Sequence, residues 1–144
     1  MNIRAQMELF NTCFCKVNEL YREWAKQNGM SYNTMMTLYA LGQQQGCTQK
    51  QIADGWLIPK QTVNTVVKEL EKRGMVRFEP LPGGKQKAVC LTESGQIYAD
   101  RCLKTLYESE ERAMRSLGDA LAEAFLRGNL AYAEALEKEV RRHG

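Results

Sequence analysis

Hydrogen-bonding side chains are concentrated in the segment from Pro59 to Arg73. Amide, hydroxyl and amino groups make up this set: Lys60, Gln61, Thr62, Asn64, Thr65 and Lys68. No carboxylate occurs in the segment before Glu69. Groups of these types can bond to the donors and acceptors on base edges, and the major groove of B-DNA admits an α-helix. The segment is a candidate recognition helix, although any surface helix also has a polar outer face.

Apolar residues within the same segment predict the helix that would position these groups. Val63, Val66, Val67 and Leu70 recur at three- and four-residue spacings, which places them on one side of an α-helix. The polar set falls largely outside this stripe. We therefore expect a helix that buries its apolar side and exposes the polar one.

A second helix is predicted just before the candidate recognition helix. Thr48 and Gln51 have the T-x-x-Q form of a capping box, in which each side chain bonds an otherwise unpaired backbone N–H. A short helix from Gln49 to about Trp56 follows from this cap. The three to four residues that separate the two helices give the spacing of a helix-turn-helix.

A β-hairpin is predicted after the candidate recognition helix. Residues 75–79 alternate between apolar and polar, residues 81–84 read Leu-Pro-Gly-Gly, and residues 87–91 resume the alternation. The tip carries groups that could contact the DNA backbone or minor groove: Lys85, Gln86 and Lys87. A hairpin in this place would act as a wing beside the helix.

Charge is unevenly distributed along the chain, whose formal net charge is +3. Residues 58–90 contain 7 basic and 3 acidic side chains, so this segment is +4 and the remainder is −1. A positive patch on a nearly neutral body is typical of phosphate binding. Chance enrichment of lysine on a solvated face gives the same numbers.

Long amphipathic helices are predicted at both ends of the chain. The first has apolar residues that step alternately by four and three: Ile3, Met7, Phe10, Phe14, Val17, Tyr21 and Trp24. A helix from Glu93 to about Met114 is expected to bury Tyr98, Cys102, Leu106 and Ala113. A last helix, from residue 117 or 118 to Arg141, has its apolar positions near spacing four: Leu121, Phe125, Tyr132, Leu136 and Val140. Gly128 favours a kink or a close helix contact there.

Between the first helix and the capping box, Ser31 is expected to cap a further helix that reaches the Gly42–Gly46 break. The apolar faces of the terminal helices together exceed what one small lobe could cover. They therefore predict a homodimer.

The bulk composition is that of a soluble globular protein. The chain has 144 residues, of which 44% are hydrophobic and 26% are charged. The sequence contains neither a long uncharged apolar run nor a secretory signal, so we expect a cytoplasmic protein with no membrane partner. Five unpaired cysteines and the lone His143 argue against a metal site or a cofactor. An enzyme is not expected either, because the sequence has no phosphate-binding glycine loop and no interior catalytic histidine.

The sequence resembles the winged-helix core of the MarR family of bacterial transcriptional regulators. The resemblance is most specific from Thr48 to Gly95 and is carried by two patterns. The first, V-x-x-L-E-x-x-G-x-V, is formed by Val67, Leu70, Glu71, Gly74 and Val76. The second, L-T-x-x-G, is formed by Leu91, Thr92 and Gly95. The resemblance implies an obligate homodimer, one DNA-binding lobe per subunit and an effector pocket between the lobes.

The sequence departs from the family pattern at three places. The wing tip carries Lys85 and Lys87 where the family often has Asp-x-Arg, Thr65 replaces a common arginine, and Leu57 replaces a frequent turn glycine. The expected fold class is nevertheless mainly α (α+β), a winged helix-turn-helix with a two-stranded wing. We assign one domain, 1–144, with a DNA-binding lobe at 31–92 and dimerisation helices at 1–27 and 93–144.

The leading hypothesis is a regulator, in particular a repressor, that binds an inverted repeat in double-stranded DNA as a homodimer. A small-molecule effector or a redox signal would release it, and Tyr32, Tyr39, Trp24 and Met35 are candidates to line an effector cavity. A thiol sensor that uses Cys13 or Cys15 is one alternative. A winged-helix adaptor that binds proteins and not DNA is the other.

Overall fold

The computed structural model of the chain describes residues 1–142, which form six α-helices and one two-stranded sheet. In chain order the elements are α1 (Ile3–Gln27), α2 (Tyr32–Gln43), α3 (Gln49–Trp56), α4 (Lys60–Lys72), β1 (Val76–Pro80), β2 (Lys87–Leu91), α5 (Glu93–Ser116) and α6 (Asp119–Arg142). This order confirms the predicted fold class. His143, the lone histidine that the sequence analysis used as an argument against a metal site, lies outside the described residues. None of the described helices is long and apolar enough to cross a membrane.

The predicted capping box starts α3. The Thr48 hydroxyl accepts a bond from the Gln51 backbone N–H at 3.0 Å, and Gln51 Oε1 accepts from the Thr48 backbone N–H at 2.9 Å. At the other end of α3, Leu57 has φ 53°, in the left-handed region that glycine usually occupies. Leu57 therefore makes the turn that a glycine would make, and residues 57–59 join α3 to α4.

The hairpin has the predicted antiparallel pairing. Val76 is opposite Leu91 and Pro80 is opposite Lys87, so β1 begins one residue later than expected and continues through Pro80. Cys47 adds an isolated antiparallel bridge to Val89, with a 2.8 Å bond from the Val89 N–H to the Cys47 carbonyl. This bridge ties the loop before α3 to the wing.

A hydrophobic core is formed by α2, α3, α4, β2 and the first turns of α5. Its most deeply buried apolar side chains are Met35, Leu38, Leu41, Ile52, Val63, Val67, Leu70, Val89 and Leu103. Val66, which we expected in the buried stripe of α4, is only half-buried. It lies at the edge of the stripe because successive residues of an α-helix differ by about 100° in direction.

The L-T-x-x-G pattern forms a tight junction between the end of α4 and the start of α5. The Thr92 hydroxyl donates to the Gly74 carbonyl at 2.7 Å, and the Thr92 N–H donates to the Met75 carbonyl at 3.0 Å. A Cβ atom at Gly95 would lie 1.8 Å from the Met75 carbonyl oxygen. Only glycine fits at that position.

The contacts between residues fall into two compact units, Met1–Leu103 and Lys104–Gly144. On α5 the buried apolar side chains are those of Ala99, Leu103 and Leu106. Leu106 is buried as predicted, whereas Ala113 is exposed. The predictions of Tyr98 and Cys102 were wrong by one position, because these residues are half-buried and the next residues, Ala99 and Leu103, are the buried ones. The α6 helix continues without interruption through Gly128, and a Cβ there would meet no atom within 4 Å. The close helix contact that was expected at Gly128 is therefore absent among the described residues.

Candidate nucleic-acid interface

The exposed side of α4 carries most of the polar residues selected from the sequence. Lys60, Gln61, Thr65 and Lys68 are exposed, whereas Val63, Val67 and Leu70 on the opposite side are buried. The Thr65 hydroxyl donates to the Gln61 carbonyl of the preceding turn at 3.0 Å. This arrangement leaves long amide and amino side chains on the first two turns of the helix, where they can reach another molecule.

Two of the selected residues lie on the flanks of α4. Thr62 and Asn64 are half-buried. The Asn64 Nδ2 atom donates to Gln49 Oε1 of α3 at 3.0 Å. Gln49 was not among the residues that the sequence analysis selected. Its place directly after the Thr48 cap can be read from the sequence, but its bond to a residue 15 positions away cannot.

The wing and the helix-turn-helix share a depression on one surface of the protein. It is lined by residues from the start of α3, the start of α4, both strands and the turn between the strands: Thr48, Gln49, Lys50, Lys60, Phe78, Gln86 and Lys87. Three of the predicted contact residues, Lys60, Gln86 and Lys87, therefore lie together. Lys85 is exposed at the wing tip but does not line the depression.

Lysine is the only charged residue type in this depression. Lys50, which the sequence analysis also missed, forms a 2.8 Å ion pair with Asp54, and this hydrogen bond raises the pKa of Lys50. Since Lys60 and Lys87 come from different elements, the depression presents a positive surface suited to an anion such as phosphate.

Two further cations of residues 58–90 are engaged within the protein. Arg77 pairs with Glu79 on the same strand, and this bond lowers the pKa of the Glu79 carboxyl. Arg73, at the end of α4, lies over the Tyr98 ring with 4.8 Å between the guanidinium carbon and the ring centroid. The net charge of the segment thus overstates the number of cations that are free on the surface shared by α4 and the wing.

A separate cavity of about 440 Å³ lies between α1, α2 and the end of α3. Aromatic side chains dominate its lining, which consists of Phe14, Asn18, Tyr21, Arg22, Tyr32, Met36, Tyr39, Gly55, Trp56 and Leu57. Tyr32 and Tyr39 line it as expected. Met35 is instead fully buried in the core, and Trp24 is not part of the lining. Met36, one position along α2, takes the place predicted for Met35.

Arg22 is the charged residue of this cavity. Its guanidinium carbon lies 4.0 Å from the centroid of the Tyr32 ring. The Tyr39 and Trp56 rings meet edge to face with centroids 5.3 Å apart. The cavity therefore combines flat apolar walls with one cation.

Four of the five cysteines form an exposed pair and a buried pair, and the fifth, Cys102, is half-buried. Cys13 and Cys15 are exposed on α1, where their side chains diverge because they are two residues apart on a helix. Cys47 and Cys90 are buried, and burial raises the pKa of both thiols. Since the thiolate is the reactive form, the buried pair is the less reactive one.

Comparisons with known proteins give consistent results. Residues 28–87 match a family model described as MarR family. Over the full length of both chains, the structure is similar to that of NMB1585, a MarR family regulator from Neisseria meningitidis, with 28% identity and a TM-score of 0.78. No curated protein matches the sequence.

Two further structures share the fold at lower identity. MepR from S. aureus, solved in its DNA-binding conformation, is 20% identical, with 90% of this chain and 96% of that chain covered and a TM-score of 0.67. CouR from Rhodococcus jostii RHA1, bound to p-coumaroyl-CoA, is also 20% identical, with 85% and 86% covered and a TM-score of 0.61.

Proposed function

Since the chain belongs to the MarR family of transcriptional regulators, whose members are not enzymes, we propose that it represses transcription by binding an inverted repeat in double-stranded DNA as a homodimer. The observation that carries this proposal is the shared surface of α4 and the wing. There, exposed amide and amino groups lie beside a depression whose charged residues are all lysines.

Different parts of this surface have different roles in the proposal. In this proposal the exposed face of α4 enters the major groove together with its flanks. Gln61 and Thr65 on that face, and Thr62 and Asn64 on the flanks, are the candidates to contact bases. The cations and the wing amide contact the DNA backbone instead: Lys60, Lys68, Lys85, Gln86 and Lys87. Lys50 joins this second group because it lines the same depression.

Selection of bound sequences from random duplexes, followed by footprinting, tests the proposal. A dimer of identical lobes should select an inverted repeat with half-sites about one helical turn apart, and its footprint should be symmetric. A protein-binding adaptor would select no sequence. That outcome would refute the proposed function.

The proposed homodimer is supported by apolar residues that remain exposed on α1 and α6. On α1 they include Phe10 and Phe14, which stack with centroids 6.4 Å apart. On α6 the exposed apolar residues are Leu121, Phe125, Leu126, Leu130, Tyr132, Leu136 and Val140. Exposed apolar area of this extent is typical of a protein–protein interface.

The aromatic cavity is the proposed effector site. Its only charged lining residue is Arg22, and Tyr32, Tyr39 and Trp56 supply flat apolar surface. A ligand with an aromatic ring and one negative charge matches both features. We therefore favour a small aromatic anion over a redox signal as the releasing agent.

Two probes of similar shape and opposite charge test this assignment. Benzoate should weaken binding to the selected duplex, whereas benzylamine at equal concentration should not. Arg22→Ala should abolish the benzoate effect and leave DNA binding without effector unchanged. If the wild type loses DNA on oxidation of Cys13 or Cys15 and ignores benzoate, the redox alternative replaces this one.

A further inference from the structure

Gln49 and Asn64 form an amide pair where α3 meets α4. The Asn64 Nδ2 atom donates to Gln49 Oε1 at 3.0 Å, and both side chains are half-buried. Gln49 is the first residue of α3 and follows the Thr48 capping box directly, so its backbone position is fixed. Asn64 lies in the second turn of α4. The bond therefore links the two helices of the helix-turn-helix through their side chains.

This amide pair lies at the edge of the proposed DNA-binding surface. Gln49 lines the depression that also contains Lys50, Lys60 and Lys87. Rotation of either amide would break a half-buried bond and leave a polar atom with fewer partners, which is unfavourable. The Asn64 side chain is thus held in one orientation before DNA arrives.

Asn64 keeps hydrogen-bonding capacity after it has bonded Gln49. An asparagine amide has an acceptor oxygen and two N–H donors, and Gln49 uses one donor. The remaining acceptor and donor are the two groups that an amide offers to N6 and N7 of adenine. A fixed amide loses less conformational freedom on binding, so the contact discriminates better than one from a freely rotating side chain.

We propose that Gln49 and Asn64 act together to recognise one adenine in each half-site, with Asn64 contacting the base and Gln49 as its positioning residue. This inference rests on the proposed DNA binding. It assigns a role in sequence recognition to α3, which the proposed function leaves to α4 alone.

Base preference measured position by position tests the pair. The wild type, Gln49→Ala, Asn64→Ala and the double variant are each titrated with the selected duplex and with its single-base variants. The wild type should prefer adenine at one position per half-site by roughly 5- to 150-fold, the range for a bidentate base contact. Each single variant should lose most of that preference at the same position. The double variant should lose no more, because the two side chains form one unit.

Two further variants separate positioning from general damage to the lobe. Gln49→Glu keeps an acceptor for Asn64 Nδ2 but adds a negative charge beside three lysines. It should retain the adenine preference and bind every duplex more weakly. Gln45→Ala removes another amide–amide bond, the 3.2 Å bond to Gln96, and should change neither quantity.

The outcomes separate failure of the inference from failure of the proposed function. If Gln49→Ala keeps the wild-type adenine preference, or Gln49→Glu loses it, Gln49 does not position Asn64. If the two single variants lose preference at different positions and their effects add, they are not a unit. If the wild type shows no base preference at all, the proposed function fails and the inference fails with it.

Discussion

Two amphipathic helices of this chain differ in how they bury their apolar sides. The 13 residues of α4 bury Val63, Val67 and Leu70 in the core of the first compact unit. The 24 residues of α6 have apolar side chains at similar spacing, yet none of them is buried. An amphipathic pattern thus indicates that one face of a helix packs against another surface, but it does not identify that surface. The apolar face of α4 packs against other elements of the same chain. For the apolar face of α6 we propose packing against the second subunit of a homodimer.

The largest expected effect comes from a charge on the apolar side of α6. Phe125→Asp would place an unpaired carboxylate in the proposed dimer interface, which costs about 3–5 kcal/mol per subunit. We expect sedimentation analysis to show a monomer at micromolar concentrations, at which the wild type is expected to be a dimer. Lys138→Asp is the matched control, because Lys138 lies with Glu134 and Arg141 on the polar side of α6 and should leave the dimer intact. If the wild type is a monomer, the apolar face of α6 does not pack against a second subunit, and this prediction is wrong.

A core truncation in α4 should have the next largest effect. Leu70 is 1% exposed, so Leu70→Ala removes buried methyl groups and leaves a cavity that costs about 2–5 kcal/mol. Urea unfolding followed by circular dichroism measures this loss. Lys68→Ala, on the exposed side of the same helix, should change stability by less than about 0.5 kcal/mol. Equal losses in the two variants would mean that the buried and exposed sides of α4 are wrongly assigned.

Replacing two lysines at the wing should have a smaller effect, confined to DNA binding. If Lys85 and Lys87 each neutralise one phosphate, the double Ala variant should reduce the salt slope of log K by about 1.8. Affinity for the selected duplex and for random duplexes should fall together, and the base preference should remain. A salt titration on both duplexes measures this. If the salt slope of log K is unchanged, the two lysines do not contact the DNA phosphates.

Local patterns in the sequence predicted the elements of the lobe, because each depends on residues close together in the chain. The Thr48 capping box and the period-two alternation around Val89 are examples, and both were confirmed. Contacts between distant residues were not predictable in this way. The bond between Asn64 and Gln49 depends on how α3 crosses α4, and the pairing of Arg77 with Glu79 depends on the choice of side-chain conformation.

The helix faces were predicted less well at their edges. On α4 the centre of the apolar stripe was correct, but Val66 at its margin is half-buried. On α5 we chose Tyr98 and Cys102, whereas Ala99 and Leu103 are the buried residues. Tyr98 is half-buried and contacts Arg73, and the sequence does not indicate this contact. The proposed base contacts remain predictions, because they also depend on the sequence of the bound DNA, which the protein sequence does not specify.

The smallest expected effect concerns the turn between α3 and α4. Leu57 has φ 53° and is 85% exposed. Its left-handed backbone is therefore strained, and burial of the side chain compensates little of that strain. The left-handed conformation costs about 1–2 kcal/mol for a residue with a Cβ, and glycine would remove this strain. Glycine also has more conformational freedom in the unfolded chain, which lowers the free energy of unfolding by about 0.5–1 kcal/mol. Leu57→Gly should therefore stabilise the protein by up to about 1 kcal/mol in urea unfolding.

The reverse exchange at Gly29 is a matched control for this turn. Gly29 has φ 65° and open space where a Cβ would lie, so Gly29→Leu should destabilise the protein by a similar amount. If Leu57→Gly destabilises the protein while Gly29→Leu behaves as expected, the Leu57 side chain contributes stability that its exposure in one subunit does not reveal. Since Leu57 also lines the aromatic cavity, the benzoate titration of Leu57→Gly would then show whether that contribution includes the effector site.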